Sequence, residues 1–403
     1  MPAAVCFIFA VKMTAMTLQE DLFNDFPQIS KEEWVRQIVR DLKGRPLEEL
    51  DWQPDNGLKV SPLAHADDFE RAPEPFSQEP NNWEICEDVV VTDPATANSQ
   101  AVEALEGGAE GLRFYFSTAP DATVFDQIFQ GIFPDFIGLH FAGPGVSQNP
   151  GAILMHLDRL ARQHNLQTTQ LRGSIDYDPA TTAEIVDWRY LADLAAFAGE
   201  QFPGFRLVTI AVGPYPSGKE SAPAGLTVAE ELSAGLQRGN LYLRKLTERG
   251  IPAARVAGLT QFSLSIGNRY FLEIAKIRAF NLLWLNVLKA WNAPAEYPAT
   301  EVHFLPGAYG SELYTNMIRA TTMAMSAVLG GAGRLTVLPY EAGHEAEASF
   351  PPAFGRRIAR NVQHLLKMES FFNEIPDPAA GSYYIEKLTQ QLANQAWQSF
   401  QKA

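Results

Sequence analysis

Apolar residues change their spacing in a regular way from residue 105 onward. Short runs rich in β-branched and aromatic residues alternate with longer segments whose apolar positions repeat at helical spacing. The runs predict strands at 111–117, 136–142, 169–177, 205–213, 261–266, 301–305, 334–339 and 371–375. The segments between and after them predict helices at 121–129, 149–164, 181–201, 226–249, 270–291, 312–329, 353–368 and 383–400.

Eight strand–helix units in succession indicate an α/β protein. Strict alternation implies a parallel sheet with right-handed crossovers, and eight units in about 290 residues suit a closed (β/α)₈ barrel. A doubly wound open sheet is the alternative, but it usually has fewer units and a glycine-rich phosphate loop after its first strand. Residues 117–120 follow the first predicted strand and contain no such loop. We therefore predict a TIM barrel over residues 105–403.

The N-terminal quarter of the chain, residues 1–104, lacks the strand–helix alternation and predicts an extension that precedes the barrel. Residues 17–50 form an acidic, amphipathic arm, in which Ser30 and Glu33 have capping-box spacing for a helix at 31–42. Proline, asparagine and aspartate recur through 51–100, which predicts an irregular segment. The apolar run at 3–11 is too short to span a bilayer and lacks preceding basic residues. We interpret it as an upstream start or a tail and not as a targeting peptide.

Charge and composition exclude several classes of protein. The chain has 32 basic and 47 acidic residues, a formal net charge of −15, and 46% hydrophobic residues. No basic stripe is available to neutralise phosphates, so we expect neither nucleic-acid binding nor binding to an anionic membrane surface. The two cysteines, Cys6 and Cys86, do not form a Cys-x-x-Cys pair. We expect reduced thiols in a cytoplasmic protein.

Two patterns resemble ligand-binding motifs but lack essential parts. His344 and Glu345 begin a zinc-protease motif, yet position 348 is alanine where the second histidine is required. The glycines at 330–333 follow a predicted helix, whereas a phosphate site needs them ahead of a helix. We expect solvated loop residues in the first case and a helix C-cap in the second.

Candidates for acid–base chemistry are few. Asp176, Asp178 and Asp187 could supply paired carboxylates, although Asp178 before a proline is also typical of a turn. His303 lies in the sixth predicted strand and could act as a general acid if it faces the barrel interior. A lone strand histidine is more often a hydrogen-bonded core residue. No Gly-x-Ser-x-Gly elbow or thiolate-favouring cysteine supports nucleophilic catalysis.

Four ordered motifs carry a family resemblance. The segment at 262–284 contains Glu-x-Ala-Lys-x-Arg-Ala and Leu-Trp, and it is followed by Asn316-Met-Ile-Arg319, by Arg357-Ile-Ala-Arg-Asn and by Asp377-Pro-Ala-Ala-Gly-Ser-Tyr. In this order they resemble the barrel of the methylmalonyl-CoA mutase family. The matching residues, which we interpret as scaffold, are Gly267, Glu273, Lys276, Arg278, Arg357, Arg360, Asn361, Asp377, Gly381, Ser382 and Tyr383.

The scaffold residues have simple structural interpretations. Glu273 and Lys276 are three residues apart, with Arg278 adjoining, so pairing along one helix is expected. Gly381 suits a tight turn, and Ser382 could be the N-cap of the following helix.

The resemblance implies an adenosylcobalamin-dependent isomerisation of methylmalonyl-CoA in propionate metabolism, but this sequence departs from active members. They carry a cobalamin-contacting histidine in the strand where Thr300 aligns better than His303, and a substrate-binding arginine where Leu259 stands here. Their Arg-Gln-Tyr-Ala-Gly-Phe segment has no counterpart in residues 54–100, and no Asp-x-His-x-x-Gly of a cobalamin domain follows the last helix. In lacking these motifs the chain resembles the small subunit of the family.

Two hypotheses of different classes follow from the resemblance. In the first, the chain is a non-catalytic barrel that pairs with a large subunit, and the partner holds adenosylcobalamin and binds the acyl-CoA. In the second, it is an active acyl-CoA mutase of altered specificity whose cobalamin domain is a separate chain, and His303 replaces the missing histidine. We expect no cofactor and no metal on this chain alone in the first case.

Overall fold

A parallel sheet forms the centre of the protein in the computed structural model, which describes residues 29–73, 75, 79–183, 185–215 and 225–402. The strands of this sheet are β3 (Glu84–Val91), β4 (Gly111–Phe116), β5 (Gly138–Ala142), β6 (Arg172–Ile175), β7 (Phe205–Arg206), β8 (Val208–Val212), β9 (Thr260–Ile266), β10 (Ala299–Phe304) and β11 (Arg334–Thr336). Neighbouring strands pair in the order β7-β6-β5-β4-β3-β11-β10-β9-β8.

The chain itself joins the two ends of this sheet. Only Leu207 separates β7, which pairs with β6, from β8, which pairs with β9. The two short strands therefore act as one bent strand that belongs to both edges. Counted this way the sheet has eight strands and closes on itself, which confirms the predicted (β/α)₈ barrel.

The assignment of the first and last strands from sequence was wrong. The first barrel strand is β3, which lies inside the segment predicted to be irregular and before the predicted barrel start at residue 105. The predicted strand at 371–375 is a series of turns. Glu84 and Asp88 of β3 face a polar interior, as described below, so the strand lacks the apolar alternation by which sequence patterns are recognised.

Helices cover the outside of the sheet and supply the apolar core. Leu264 and Val302 are fully buried strand residues, and Phe280 and Trp284 pack against Phe262 of β9 with ring centroids 4.7 Å away in both cases. The helices of this region are α2 (Pro94–Glu106), α3 (Ala122–Ile128), α4 (Pro144–Ser147), α5 (Pro150–Gln163), α6 (Pro179–Thr182), α7 (Trp188–Gln201), α8 (Val228–Thr247), α9 (Ala253–Leu259), α10 (Tyr270–Ala290), α11 (Leu313–Gly330), α12 (Pro352–His364) and α13 (Tyr383–Lys402).

The described residues from 29 to 51 belong to a separate compact unit. Its helix α1 (Lys31–Asp41) has the predicted capping box, since the Ser30 side chain accepts from the backbone of Glu33 and the Glu33 side chain accepts from the backbone of Ser30. The second unit begins with an antiparallel hairpin, β1 (Trp52–Asp55) and β2 (Leu58–Val60). The apolar run at 3–11, Cys6 and the first part of the arm lie outside the described residues.

Within the part of the chain that the structure describes, no helix combines the length and apolar character needed to cross a lipid bilayer.

Candidate functional site in the barrel interior

Charged and polar side chains fill the barrel interior, which is lined by branched aliphatic residues in most barrels of this class. Arg113 of β4 contacts His303 of β10, and Arg334 of β11 contacts His140 of β5. Neither pair of strands is adjacent in the sheet. These contacts therefore cross the interior, and they place the sixth predicted strand's histidine inside the barrel.

One half of this interior network surrounds His303. The guanidinium of Arg113 donates to both carboxylate oxygens of Asp88, at 2.8 and 2.7 Å, which is the strong two-bond geometry of an arginine–carboxylate pair. The same guanidinium lies 3.1 Å from Nε2 of His303. Glu301 lies 3.1 Å from the same nitrogen. His303 is 3% exposed, so it is a buried member of a charge network and not a side chain at the mouth of the barrel.

The other half joins β5, β6 and β11. His140 lies 2.6 Å from the carboxylate of Glu84 through Nε2 and 2.8 Å from Ser174 Oγ through Nδ1. Arg334 contacts His140 and, on its other side, the carboxylate of Glu301. Glu301 therefore links this group to His303 and Arg113. The interior therefore contains a series of neighbouring acidic and basic side chains, in which each histidine lies between an arginine and a carboxylate.

The two interior histidines are held neutral. Burial, followed by the positive charge of Arg113, lowers the pKa of His303 to about 3. Burial, followed by Arg334, lowers the pKa of His140 to about 4. Burial opposes ionisation of Asp88, but the adjacent Arg113 outweighs it and lowers the pKa of that carboxyl. At neutral pH the network therefore consists of ionised arginine–carboxylate pairs and uncharged imidazoles.

The depressed histidine pKa values predict acid sensitivity of the fold. Between pH about 6.5 and about 4 the unfolded chain protonates these imidazoles and the folded chain does not, so stability falls as the pH falls. Each histidine contributes up to about 1.4 kcal/mol per pH unit in this window. Urea denaturation at pH 7.5 and 5.5 should show a smaller loss in His303→Gln than in the wild type or in His344→Gln. Equal losses in all three proteins would contradict the assignment.

The three candidate aspartates are not brought together as a catalytic pair. Asp176 accepts a hydrogen bond from the Tyr215 hydroxyl at 2.8 Å, and burial raises the pKa of that phenol well above its ordinary value. Asp178 accepts from the Tyr242 hydroxyl at 2.5 Å. Asp187 caps α7 by accepting from two backbone amides. Each carboxylate therefore has a structural partner.

The glycines at 330–333 form the helix C-cap expected from the sequence. Gly331 follows α11 with φ of +92°, a left-handed conformation that favours glycine. His344 lies in the loop after β11, half-buried, at the start of a single 3₁₀ turn.

The first scaffold pair lies where the sequence predicts it. Glu273 and Lys276 are both buried on α10, and Lys276 Nζ lies 2.6 Å from the Glu273 carboxylate. The same ammonium donates to the backbone carbonyl of Ser265 at the end of β9. Gly267 follows this strand, and a side chain there would contact Glu273. The pair therefore fixes α10 against the strand it follows.

Arg278 has partners that the spacing along the helix does not suggest. Its guanidinium contacts the carboxylate of Asp377 and lies 2.7 Å from that of Glu386. Glu386 also accepts from the amide of Gly381, at 3.2 Å, and Gly381 has φ of +79°. Arg278 thus joins α10 to the turn at 377–382 and to the first turn of α13.

The remaining scaffold residues divide into buried and exposed sets. Arg360 is buried and contacts Glu87 of β3, which joins α12 to the barrel. Arg357 is exposed and lies over the ring of Phe354 at 5.4 Å, and Asn361 is exposed. Ser382 precedes α13, and its carbonyl accepts from the amide of Glu386 at 2.9 Å, consistent with an N-cap position. Tyr383 packs on Phe69 with ring centroids 5.8 Å apart.

Glu84, Cys86 and His140 resemble a metal-ligand set. Their potential ligand atoms all lie within 4.8 Å of one another. Burial raises the pKa of the Cys86 thiol to about 12, so it is a thiol and not a thiolate at neutral pH. The guanidinium of Arg334 already occupies the cationic position beside His140. We therefore interpret the cluster as part of the charge network.

Sequence reasoning missed most of this network. Of its members only His303 was a candidate, whereas Arg113, Asp88, Glu301 and Arg334 were not. A usable signal was present for three of them, because Arg113, Glu301 and Arg334 each lie within a predicted strand. Charged residues in central strands are rarely buried unless they are paired, so these three imply mutual partners.

The fold and its interior define a (β/α)₈ barrel with an ion-paired core. A model of the methylmalonyl-CoA mutase family matches residues 148–403. The chain belongs to the methylmalonyl-CoA mutase family.

Relatives of known name support this assignment over most of the chain. A methylmalonyl-CoA mutase small subunit of Porphyromonas gingivalis is 29% identical over 95% of this chain, and one of Streptomyces virginiae is 30% identical over 94%. The Streptomyces virginiae large subunit is 27% identical over 93% of the chain. The chain spans 64% of the length of both small subunits and 56% of that large subunit.

Proposed function

We propose that this chain is the non-catalytic barrel subunit of an adenosylcobalamin-dependent methylmalonyl-CoA mutase. A catalytic large subunit binds the acyl-CoA and the cobalamin, and this chain pairs with it. The complex, and not this barrel alone, isomerises methylmalonyl-CoA and succinyl-CoA.

The ion-paired interior is the observation that carries the proposal. An active barrel of this family must admit an acyl-CoA, but here Arg113 and Arg334 extend across the lumen to partners on other strands. Admission of a thioester would break these pairs and leave buried charges uncompensated, which costs several kcal/mol. The polar groups of the interior are engaged with one another.

The interior does not fit direct contact with cobalamin either. His303 is the residue that would replace the missing cobalamin-contacting histidine, but it is 3% exposed and lies between Arg113 and Glu301. A group enclosed in this way cannot reach a corrin ring at the barrel mouth. Leu259, at the position of the substrate-binding arginine, is buried and apolar. No step of the reaction is therefore assigned to this chain.

Helix α1 exposes apolar side chains of the kind that a partner chain covers. It carries Trp34 and Val39, which are 40% and 46% exposed, on a helix whose other positions are mostly charged. Exposed large apolar side chains on an amphipathic helix are typical of surfaces that another chain covers. Pairing of this arm with the large subunit agrees with the small-subunit names of the relatives.

Reconstitution tests the proposal. Methylmalonyl-CoA and adenosylcobalamin are given to this chain, to the large subunit of the same organism, and to both together. We expect no turnover from this chain and turnover whenever the large subunit is present. Turnover by this chain with a separate cobalamin-domain protein would instead establish the alternative, an active mutase divided between two chains.

A further inference from the structure

A small cavity lies at the end of the barrel where the strands begin, opposite the loops that follow them. Its volume is about 190 Å³. Ala299 and Thr300, the first residues of β10, line it together with Gly333, which precedes β11, and with Val328 and Leu329 near the end of α11. Because water occupies about 30 Å³ per molecule, the space would hold about six waters. It is smaller than the roughly 300–1,000 Å³ of pockets for drug-sized ligands.

Asn281 places its carboxamide in the lining of this cavity. It lies in the middle of α10, is 3% exposed, and its Oδ1 is buried with no hydrogen bond among the described residues. A buried polar atom left unpaired costs about 1–3 kcal/mol, so native proteins seldom keep one without a reason. A carboxamide presents an acceptor and two donors in one plane. It can therefore recognise a molecule that has a donor beside an acceptor.

The charges of the lining exclude anionic ligands. Among the described residues that line the cavity there is no lysine or arginine, and the two carboxylates are those of Glu79 and Asp377. The carboxylate of Asp377 is engaged by Arg278. The other walls are mostly apolar, with Pro298 and Val328 among them, and the ring of Tyr297, 42% exposed, lies at the rim. A ligand here would be uncharged, apolar on its faces and polar along one edge.

We propose that this cavity binds an uncharged planar heterocycle with an amide-like edge, of the size of one nucleobase. Asn281 pairs with the donor and acceptor of that edge, as asparagine side chains pair with base edges elsewhere. The apolar walls contact the faces of the ring. A ribose or longer substituent stays outside, past Tyr297. This site is separate from the ion-paired interior and does not depend on the proposed function.

Ligand titration of the full chain tests the site. Adenosine and uridine, which differ in their base edges, are titrated by calorimetry against the wild type, Asn281→Leu and Asn286→Leu. Asn286 is an exposed asparagine of the same helix and serves as the matched control. We expect saturable binding of at least one nucleoside, at least ten-fold weaker in Asn281→Leu and unchanged in Asn286→Leu. AMP should bind no more tightly than adenosine, since the ribose and its phosphate stay outside the cavity.

Three results would overturn the proposal. They are the absence of binding by either nucleoside, binding that Asn281→Leu leaves unchanged, and binding that a phosphate strengthens ten-fold. A second measurement guards against a folding defect. Asn281→Leu removes an unpaired buried amide, so the ligand-free variant should melt at the same temperature as the wild type or higher. A fall of several degrees would mean that Asn281 supports the fold, and would also contradict a ligand-binding role.

Discussion

Replacing Arg334 by methionine should lower the free energy of unfolding by about 3–5 kcal/mol, the usual cost of removing one partner of a buried ion pair. The guanidinium contacts the Glu301 carboxylate and lies beside His140, and Glu301 is 2% exposed. Without Arg334 the Glu301 carboxylate faces a neutral His303 and has no fixed cation against it. Methionine fills a similar volume, so the effect would come from the charge and not from a cavity.

The double variant Arg334→Met/Glu301→Gln distinguishes a charge effect from a packing effect. Removing both charges should recover much of the stability, because no uncompensated ion is then buried. Urea denaturation followed by circular dichroism measures all three proteins. A loss below about 1 kcal/mol in the single variant, or a double variant less stable than the single one, would show that the interior network does not hold as described.

Arg278→Met should lower the free energy of unfolding by a comparable amount, about 3–5 kcal/mol. Arg278 is 2% exposed and is shared by Asp377 and Glu386, so its loss leaves two acidic groups facing one another. Because these groups hold α13 and the turn before it against α10, we expect faster hydrogen exchange in residues 377–400. The exposed Arg357→Met is the control, and it should change the stability by no more than about 0.5 kcal/mol.

A local effect is the distinctive part of this prediction. If Arg278→Met destabilised every helix equally, or spared α13, the arginine would not be the residue that attaches the last helix. The conservative Arg278→Lys should give an intermediate loss, because an ammonium cannot contact both carboxylates in the planar arrangement of a guanidinium.

The fold could be predicted from the sequence because most strands carry an apolar periodicity. The runs at 111–117 and 261–266, for example, correspond to β4 and β9 with bounds that differ by one residue at one end. The strand β3 could not be predicted in this way, because Glu84 and Asp88 face other charges and not an apolar core. Residues 371–375 resembled a strand because the segment contains aromatic and aliphatic residues. In the structure Phe371 and Ile375 are exposed to solvent, and the segment forms turns.

The candidate site was predictable only in part, for a related reason. Motif resemblance identified Arg278 and Asp377 as scaffold, but not that they touch, because a contact between residues 99 apart follows from tertiary structure. The pair Glu273–Lys276 was predictable, since helix geometry alone brings it together. Likewise His303 could be placed in a strand from the sequence. Its contact with Arg113 could not be predicted, because it depends on how the barrel closes.

We propose that this barrel contributes structure and no chemistry to its complex. His303→Gln tests it most directly, because glutamine keeps a neutral acceptor for Arg113 and removes the imidazole. The variant and the wild type are each assembled with the large subunit, and turnover of methylmalonyl-CoA is measured per assembled complex. The account predicts equal turnover within about two-fold. A fall of a hundred-fold or more, about 2.7 kcal/mol of activation free energy, in a complex that still assembles would contradict it and make His303 a catalytic residue.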